Sequence, residues 1–501
     1  MLPQYPLHWS RMIGRRALAL LVALLLAAAA VAQGPPQPPP QPQPPAKPEH
    51  QIAPQEAKDL FRSVDSILKW VSADTNLPIK HSVKRKLSSR KDVEKFVSDR
   101  LKNDEDAQRL KNSELVLKKL GLLPRDFNLS RFLVELLGEQ VAGFYDPKKK
   151  TVYLLNWIEP QQQRDVLAHE LTHALQDQSV GLEKWQRAGE PPDRKPSKKK
   201  LEPEEERRQL QALVDSDEAG AARQAVAEGQ GMAVLLDFQL RPQGKTVRDL
   251  PEFVNMVRAG IGLGGDSPVF QSAPRFLREV LTFAYNYGLG FTAALLARGG
   301  KDMAYAGALR NPPATSRHIM QPETYLDHET ITPLLVPALD SLAGDGYVRF
   351  DVGTMGQFDT FLLLQQYAKD PVPRDLSPSW RGGYYYAAQK RNGNASPGGG
   401  SKADAMPAST AEVALFYVSR WSSPAAAQQF AGHYAAGLAK RYRSATPAHS
   451  GKENTLWNTD EGPVLIQVAG DVVIVAESFD AETTNRLRDG ALALDAPAPT
   501  P

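Results

Sequence analysis

The stretch that decides the fold reads DVLAHELTHALQDQ and runs from Asp165 to Gln178. On a helical wheel its apolar residues share one half, which predicts the side that packs into a core. These residues are Val166, Leu167, Leu171, Ala174 and Leu175. His169 and His173 lie together on the other half, because four residues make about one helical turn. Glu170 lies on the flank of the histidine stripe.

This arrangement matches a zinc hydrolase, in which some side chains bind the metal and a separate carboxylate acts as the general base. Two neutral imidazoles bind the metal, and a third protein ligand completes a site that is open to water. A carboxylate beside the metal takes a proton from the activated water. The sequence therefore predicts His169 and His173 as metal ligands and Glu170 as the general base. The alternative is an amphipathic helix with two incidental histidines, since this pattern arises by chance in about 1% of chains of this length.

The third ligand is predicted on a later helix. Glu228 lies in AVAEGQGMAV, where Gly229 and Gly231 each cost a helix about 1 kcal/mol relative to alanine. Such a cost favours close approach by another helix or by a substrate. Glu218 is the alternative ligand, and it would face another way. Asp177, one turn beyond His173, could orient a ligand, although a surface or capping role fits it equally well.

The bulk properties narrow the class of protein. The chain has 501 residues, of which 42% are hydrophobic, so two or three domains with real cores are expected. The formal net charge is only +3 and the basic residues form no long patch, so the sequence does not indicate nucleic-acid binding. The chain has no cysteine, so a metal site must be built from His, Asp and Glu. If the chain is exported, it must be stabilised by its core and its bound ligands alone, because it can form no disulfide.

The N-terminus has the pattern of an export signal. Basic residues precede an apolar run at 17–32 that ends in an Ala-Val-Ala cleavage pattern. We expect residues 1–32 to be a signal peptide and the protein to be periplasmic or secreted, an uncleaved membrane anchor being the alternative. Residues 33–54 form a linker rich in Pro and Gln.

Downstream periodicities predict an α+β fold. Residues 55–130 are helical in pattern, and VAGFYDPKKKTVYLLN at 141–156 predicts strand, turn, strand. Charged residues at 187–208 predict a solvated surface segment. We expect a catalytic domain at 131–330. Residues 335–501, with a strand, a helix and two further strands, predict an α+β accessory domain.

These motifs resemble the gluzincins, the thermolysin-like clan of zinc metallopeptidases with HExxH and a later Glu. More closely, the chain resembles a family of exported bacterial proteins assigned as zinc metallopeptidases. The shared motifs cover roughly residues 55–330 and read EQVAGFYDPKKKTVYLL, LAHELTHALQDQ, AVAEGQGMA, FAYNYGLGF and NPPATSRHIMQPETYL.

The resemblance implies a largely helical, zincin-like catalytic domain with a small antiparallel sheet. It implies one Zn²⁺ per chain, held by His169, His173 and Glu228, with Glu170 as the base. It also suggests that Val152–Leu155 forms a sheet edge where an extended peptide substrate pairs. The expected activity is that of an endopeptidase rather than an exopeptidase.

Some positions depart from the family pattern. Gln230 stands where relatives often have Asp, and Gln321 where they often have His. Met232 stands where thermolysin has an Asp that orients a histidine, so another group must do that work. A donor to the substrate oxyanion is also needed. The candidates, none favoured, are Tyr285, Tyr287, His318 and Tyr325.

The predicted function is peptide hydrolysis by a metal-activated water. The predicted partner is a peptide or protein, with no nucleic acid and with a membrane only through an uncleaved signal segment. One alternative is a zinc-binding scaffold that acts through its C-terminal domain, against which the intact Glu170 argues. The other is a zinc hydrolase of a different bond.

Overall fold

The computed structural model describes most of the chain between residues 51 and 495. The described residues are 51–93, 95, 104–140, 143–191, 201–261, 267–391, 409–451 and 454–495. The predicted signal peptide and most of the Pro/Gln-rich linker lie outside them. The fold is α+β, as predicted, with a helical part, a small sheet and a large antiparallel sheet.

The helical part contains the predicted catalytic helix. Its helices are α1 (Pro54–Thr75), α2 (Asp104–Lys119), α3 (Leu129–Gln140), α4 (Pro160–Val180), α5 (Leu182–Gln186), α6 (Pro203–Leu240), α7 (Pro251–Ile261), α8 (Pro268–Ser272), α9 (Arg275–Asp302), α10 (Ala308–Arg310), α11 (Ser316–Met320), α12 (Pro322–Leu326) and α13 (Leu339–Ala343). A π-helical turn, Met303–Gly307, follows α9. Proline in the first turn, where no intrahelical N–H bond is lost, marks the start of α1, α4 and α6.

Helix α6 corrects one sequence prediction. It begins at Pro203, so the end of the predicted surface segment at 187–208 is helical. Glu206 in its first turn is buried rather than solvated. Its carboxylate accepts hydrogen bonds from the backbone N–H groups of Asp340 and Ser341 at 2.6 and 3.2 Å. The sequence predicted a solvated segment because a glutamate that caps a helix cannot be distinguished from a surface glutamate by its sequence alone.

The small sheet has three strands in the order β1, β3, β2, with β1 at Lys84–Ser88, β2 at Phe144–Asp146 and β3 at Thr151–Leu155. The predicted antiparallel hairpin of β2 and β3 is confirmed. Strand β1 pairs parallel to β3, which the sequence did not predict, because β1 is polar and only partly buried. Strand β3 is therefore central, and the expectation that it offers a free edge was wrong; β2 is the edge strand on that side.

The C-terminal part is built on a seven-stranded antiparallel sheet in the order β4, β5, β6, β10, β9, β8, β7. Its elements are β4 (Tyr347–Thr354), α14 (Gln357–Tyr367), α15 (Val372–Leu376), β5 (Trp380–Lys390), β6 (Val413–Trp421), α16 (Pro424–Arg441), β7 (Ala445–Ser450), β8 (Asn454–Thr459), β9 (Gly462–Ala469), β10 (Val472–Glu477) and α17 (Ala481–Asp495). The predicted order of strand, helix and two strands is present as β6, α16, β9 and β10, with β7 and β8 inserted between α16 and β9.

One hydrophobic core joins the helical part to the large sheet. A cluster of buried apolar residues runs from Leu60 in α1 to Val475 in β10. A second cluster lies on the other sheet face, where Leu210 and Val214 of α6 meet residues such as Tyr384 and Ile474. Helix α9 with the turns to Arg310 is long and apolar enough to cross a membrane, but it is largely buried and packs against α6 and α7.

Candidate metal centre

Helix α4 presents its two histidines to one point. The Nε2 atoms of His169 and His173 lie 3.0 Å apart, and the ring planes meet at 85°. The helix runs unbroken until Gly181, whose positive φ of 66° ends it. The whole stretch from Val166 to Gln178 is buried, not only the apolar half of the wheel, because α1 and α6 both pack on α4.

Glu228 of α6 completes the group. Its Oε2 lies 3.2 Å from Nε2 of His169 and 3.4 Å from Nε2 of His173. All three side chains are buried. Within the described part of the chain, this is the one group of three or more such side chains whose donor atoms converge closely enough to hold a metal ion. Glu218, the alternative third ligand, lies elsewhere and accepts hydrogen bonds from Ser316 instead.

The spacing of these atoms fits a tetrahedral metal. Two ligands about 2.0–2.1 Å from a zinc ion at the tetrahedral angle lie about 3.3 Å from each other. The three separations among the facing atoms of His169, His173 and Glu228 are 3.0, 3.2 and 3.4 Å. Two imidazole nitrogens and one carboxylate oxygen also form a donor set for divalent transition metals rather than for Ca²⁺. The residues therefore fit a metal ion.

The charges of the site favour a cation between the three side chains. Burial alone would raise the pKa of Glu228, but the charge of His173 and hydrogen bonds from both histidines hold it at about 2. Burial opposes a charge on His173, yet Glu228 and Glu170 raise its pKa to about 9. Burial lowers the pKa of His169. The Glu228 carboxylate thus faces two imidazoles. In the absence of a metal, His173 binds a proton, and a metal ion would replace that proton.

Glu170 lies beside the three ligands without joining them. Its Oε2 accepts a hydrogen bond of 2.8 Å from the backbone N–H of Tyr145 in the edge strand β2. Its Oε1 is buried and has no protein partner. Burial raises the pKa of Glu170 to about 8. One oxygen is therefore anchored, and the other is left for a proton or a small molecule in the site.

Asp177 fixes the edge strand and does not orient a ligand. One carboxylate oxygen accepts hydrogen bonds from the hydroxyl of Tyr145, at 2.8 Å, and from the ammonium group of Lys150. The other accepts from the backbone N–H of Leu182 at 2.9 Å, at the start of α5. Of the two roles left open by the sequence, the capping role is the one that the contacts support. The same aspartate ties β2 to α4, which keeps Tyr145 near Glu170.

The glycines of α6 permit the close approach that the sequence predicted. A Cβ atom on Gly229 would lie 2.1 Å from the carbonyl oxygen of Gly288 in α9. A Cβ on Gly288 would lie 2.1 Å from the carbonyl oxygen of Ala225, so the two glycines form one helix crossing. A Cβ on Gly231 would lie 2.7 Å from Cε1 of His169. Gly229 therefore permits the helix crossing, and Gly231 leaves room for the ring of His169.

Among the four oxyanion candidates, Tyr285 lies at the site. Its ring stacks on that of His169 with 6.3 Å between centroids. Burial, together with the charges of Glu228 and Glu170, raises the pKa of its hydroxyl well above the ordinary value. The hydroxyl therefore stays protonated, as a hydrogen-bond donor must.

The other three candidates have contacts outside the metal site. Tyr287 packs on Phe358 with ring centroids 5.9 Å apart. The hydroxyl of Tyr325 donates to the carbonyl of Asn311 at 2.7 Å. His318 packs against Tyr325 with centroids 6.1 Å apart. Gln321, which stands where relatives often have His, donates a hydrogen bond to Gln357 and is likewise not part of the ligand group.

Sequence reasoning missed the glutamines around the ligands. Gln176 contacts His173, and Gln224 contacts Glu228. Each lies on the same helix as its partner, three or four residues away, which is the spacing at which helical side chains meet. That spacing was a usable signal. Gln230, the next member of the same network, was noted only as a departure from a family pattern.

The comparisons with known proteins concern the C-terminal part alone. Residues 347–488 are similar to a family described as a domain of unknown function, DUF8575. This stretch runs from β4 into α17 and contains none of the ligands or Glu170. No curated protein and no solved structure matches the chain.

Proposed function

We propose that this protein is an exported zinc-dependent endopeptidase. The observation that carries the proposal is the convergence of His169, His173 and Glu228 on one point with the half-anchored Glu170 beside it. The donor set alone also suits Fe²⁺. A carboxyl group that is held next to the ligands, with one oxygen anchored by Tyr145 and the other without a protein partner, favours hydrolysis over redox chemistry.

The residues have separate roles in the proposed reaction. His169, His173 and Glu228 would hold the zinc ion, which would supply Lewis-acid chemistry by lowering the pKa of water toward about 7 and polarising a carbonyl group. Glu170 takes the proton of the attacking water on Oε1 and returns it to the leaving amine. Tyr285 donates a hydrogen bond to the oxyanion that develops on the substrate. Its hydroxyl is buried and interacts with Glu228, so it needs little reorganisation.

The edge strand β2 is the proposed place for the substrate backbone. Tyr145 in this strand already donates its N–H to Glu170. Extended peptides commonly bind by adding a strand to an exposed sheet edge. Such pairing would place a peptide bond beside Glu170 without the need for a specific side chain, which suits an endopeptidase.

The test compares the mature chain, residues 33–501, with its Glu170→Gln variant on casein and a peptide library. We expect about one zinc per chain in both and a loss of cleavage in the variant of about 10²–10⁴-fold, as for a removed general base. Glu183→Gln is the matched control, since Glu183 follows the same helix and its side chain is half exposed.

Three outcomes separate the alternatives. Cleavage by the control but not by Glu170→Gln supports the peptidase. Stoichiometric zinc without cleavage by any form supports a scaffold or a hydrolase of another bond. Iron in place of zinc, or no bound metal, contradicts the proposal. Export is tested separately, by N-terminal sequencing of the mature protein, which is predicted to start at Gln33.

A further inference from the structure

A chain of side-chain amides leads away from His173. Nδ1 of His173 lies 2.9 Å from Oε1 of Gln176. The amide nitrogen of Gln176 donates to Oε1 of Gln230 at 2.8 Å and to the carbonyl oxygen of Ala227 at 3.0 Å. Both glutamines are fully buried. Two neighbouring helices, α4 and α6, are thus joined behind the ligand.

The far end of this chain is fixed by backbone. The amide nitrogen of Gln230 donates to the carbonyl oxygens of Ala304 and Tyr305, at 2.7 and 3.1 Å. Both residues lie in the π-helical turn Met303–Gly307. A π-helical turn leaves carbonyl groups outside the regular α-helical pattern, and such turns are frequent at functional sites.

The two backbone carbonyl groups fix which atom donates and which accepts in each hydrogen bond of this amide series. A carbonyl oxygen only accepts, so the NH₂ group of Gln230 must face the π-helical turn and its oxygen must face Gln176. The NH₂ group of Gln176 must then face Gln230, which turns its oxygen toward His173. Nδ1 of His173 must therefore bear the hydrogen. Nε2, which faces Glu228 and His169, is therefore the ring nitrogen that would bind a metal.

A second glutamine contact orients Glu228 in the same way. The amide nitrogen of Gln224 donates to Oε1 of Glu228 at 2.6 Å. Its own oxygen accepts from the side chain of Gln186 at 2.9 Å. Oε1 is thereby occupied, and Oε2 is the oxygen that faces the histidines. Two of the three ligands are thus held by neutral amides.

We propose that Gln176 and Gln230 are positioning residues that fix the orientation and the tautomer of His173 for metal binding. The inference rests on the proposed metal site but not on peptide cleavage. Groups that hydrogen-bond the free nitrogen of a histidine ligand fix its ring and its tautomer. A carboxylate commonly has this role. Here a neutral amide takes it, so this contact adds no negative charge behind the ligand.

The test measures metal binding by full-chain variants, with zinc and cobalt as the probes. Gln176→Leu removes the acceptor at Nδ1, and we expect about 10–100-fold weaker zinc affinity and an altered visible spectrum of the cobalt form. Gln230→Leu should weaken binding less, because Gln176 keeps its contact with Ala227. Gln163→Leu is the matched control: Gln163 is a buried glutamine of the same helix whose three hydrogen bonds go to the backbone of Leu155 and Ile158.

The readouts separate positioning from general stability. Gln163→Leu should lower the melting temperature as Gln176→Leu does, while its zinc affinity and cobalt spectrum stay those of the parent. Parent-like zinc affinity in Gln176→Leu, or an equal loss in Gln163→Leu, overturns the inference. If the parent binds zinc with the predicted order among variants but cleaves no peptide, the proposed function fails and the inference stands. A parent chain that binds neither metal overturns both.

Discussion

His169, His173 and Glu228 converge because glycines leave room for the close approach of their helices. Gly231 lets the ring of His169 lie directly on α6, and the pair Gly229 and Gly288 brings α9 against the same helix. Tyr285, which α9 carries, consequently stacks on His169. The glycines lower the helix propensity of α6, but they allow the helices and the ring of His169 to pack closely.

We predict that Gly231→Ala lowers zinc affinity by at least about 10-fold, as for other losses of ligand support. The added Cβ would lie 2.7 Å from the ring of His169 and must displace it. Gly220→Ala is the control on the same helix, because its Cβ would meet nothing closer than 3.8 Å. That control should bind zinc normally and gain up to about 1 kcal/mol of stability. Equal zinc affinity in both variants would contradict the role given to Gly231.

The convergence of His169, His173 and Glu228 was predictable from local sequence, and the glutamine network was not. His169 and His173 follow from a spacing of four residues on one helix, and Glu228 from the small residues around it. Gln176 and Gln230, by contrast, are 54 residues apart in sequence. Their anchor is a π-helical turn, whose position no periodicity in the sequence indicated. Contacts of this kind depend on how helices cross, which the pattern of one segment does not contain.

The ends of three helices meet around a buried pair of acids. Asp74 lies in the last turn of α1, Asp237 near the end of α6 and Lys301 near the end of α9. The ammonium group of Lys301 is 3.1 Å from Asp74. Burial and the charge of Asp74 raise the pKa of Asp237 to about 7, and burial raises that of Asp74. One lysine cannot neutralise two buried carboxylates, so the folded state favours a shared proton.

The stability of this corner should therefore fall as pH rises. A carboxyl group whose folded pKa is raised stabilises the fold below its unfolded pKa of about 4. The contribution is lost as pH rises to about 7, the folded pKa of Asp237. Asp237→Asn keeps an oxygen for the N–H of Val247 and supplies a permanent hydrogen toward Asp74.

We predict that Asp237→Asn is more stable than the parent at pH 8, by on the order of 1 kcal/mol or more, and that the advantage disappears toward pH 4. Urea unfolding at several pH values measures it. Asp302→Asn is the control, because Asp302 is an exposed carboxylate in the same corner and bonds to Asn76. A difference between Asp237→Asn and the parent that does not vary with pH would refute the shared proton.

Strand β1 shows the limit of periodicity at the level of secondary structure. The stretch around Lys84 is polar, and its neighbours have helical patterns, so an isolated sequence window predicts helix or loop. Its extended form comes from parallel pairing with β3, a contact between residues about 67 positions apart, such as Lys84 and Thr151. Such pairing depends on tertiary structure and overrides local preference. The hairpin of β2 and β3, being local, was predictable.

The helical part and the large sheet are connected by charge as well as by the shared core. Lys119, which ends α2, is buried, and its ammonium group lies 2.9 Å from Glu461. Arg441 at the end of α16 forms a buried ion pair of 2.7 Å with Glu477 of β10. It also donates to the carbonyl oxygen of Lys119. Removing one part would leave buried charges of the other without partners, which is strongly destabilising.

We therefore predict one cooperative unfolding transition for the described part of the chain. The two parts each contain tryptophans that report on them. These are Trp70, Trp157 and Trp185 in the helical part, and Trp380, Trp421 and Trp457 in the sheet part. Urea curves from far-ultraviolet circular dichroism and from tryptophan fluorescence should coincide. Two separated transitions would show that the parts fold independently, as the predicted boundary at residues 330–335 implies.

The central claim is that His169, His173 and Glu228 hold one zinc ion beside Glu170. Anomalous diffraction at the zinc absorption edge, from crystals grown with equimolar zinc, tests it most directly. We predict a single strong peak between the Nε2 atoms of the two histidines and Oε2 of Glu228, within about 2.0–2.2 Å of each. A map without a peak there, or with zinc only at other residues, would contradict the claim.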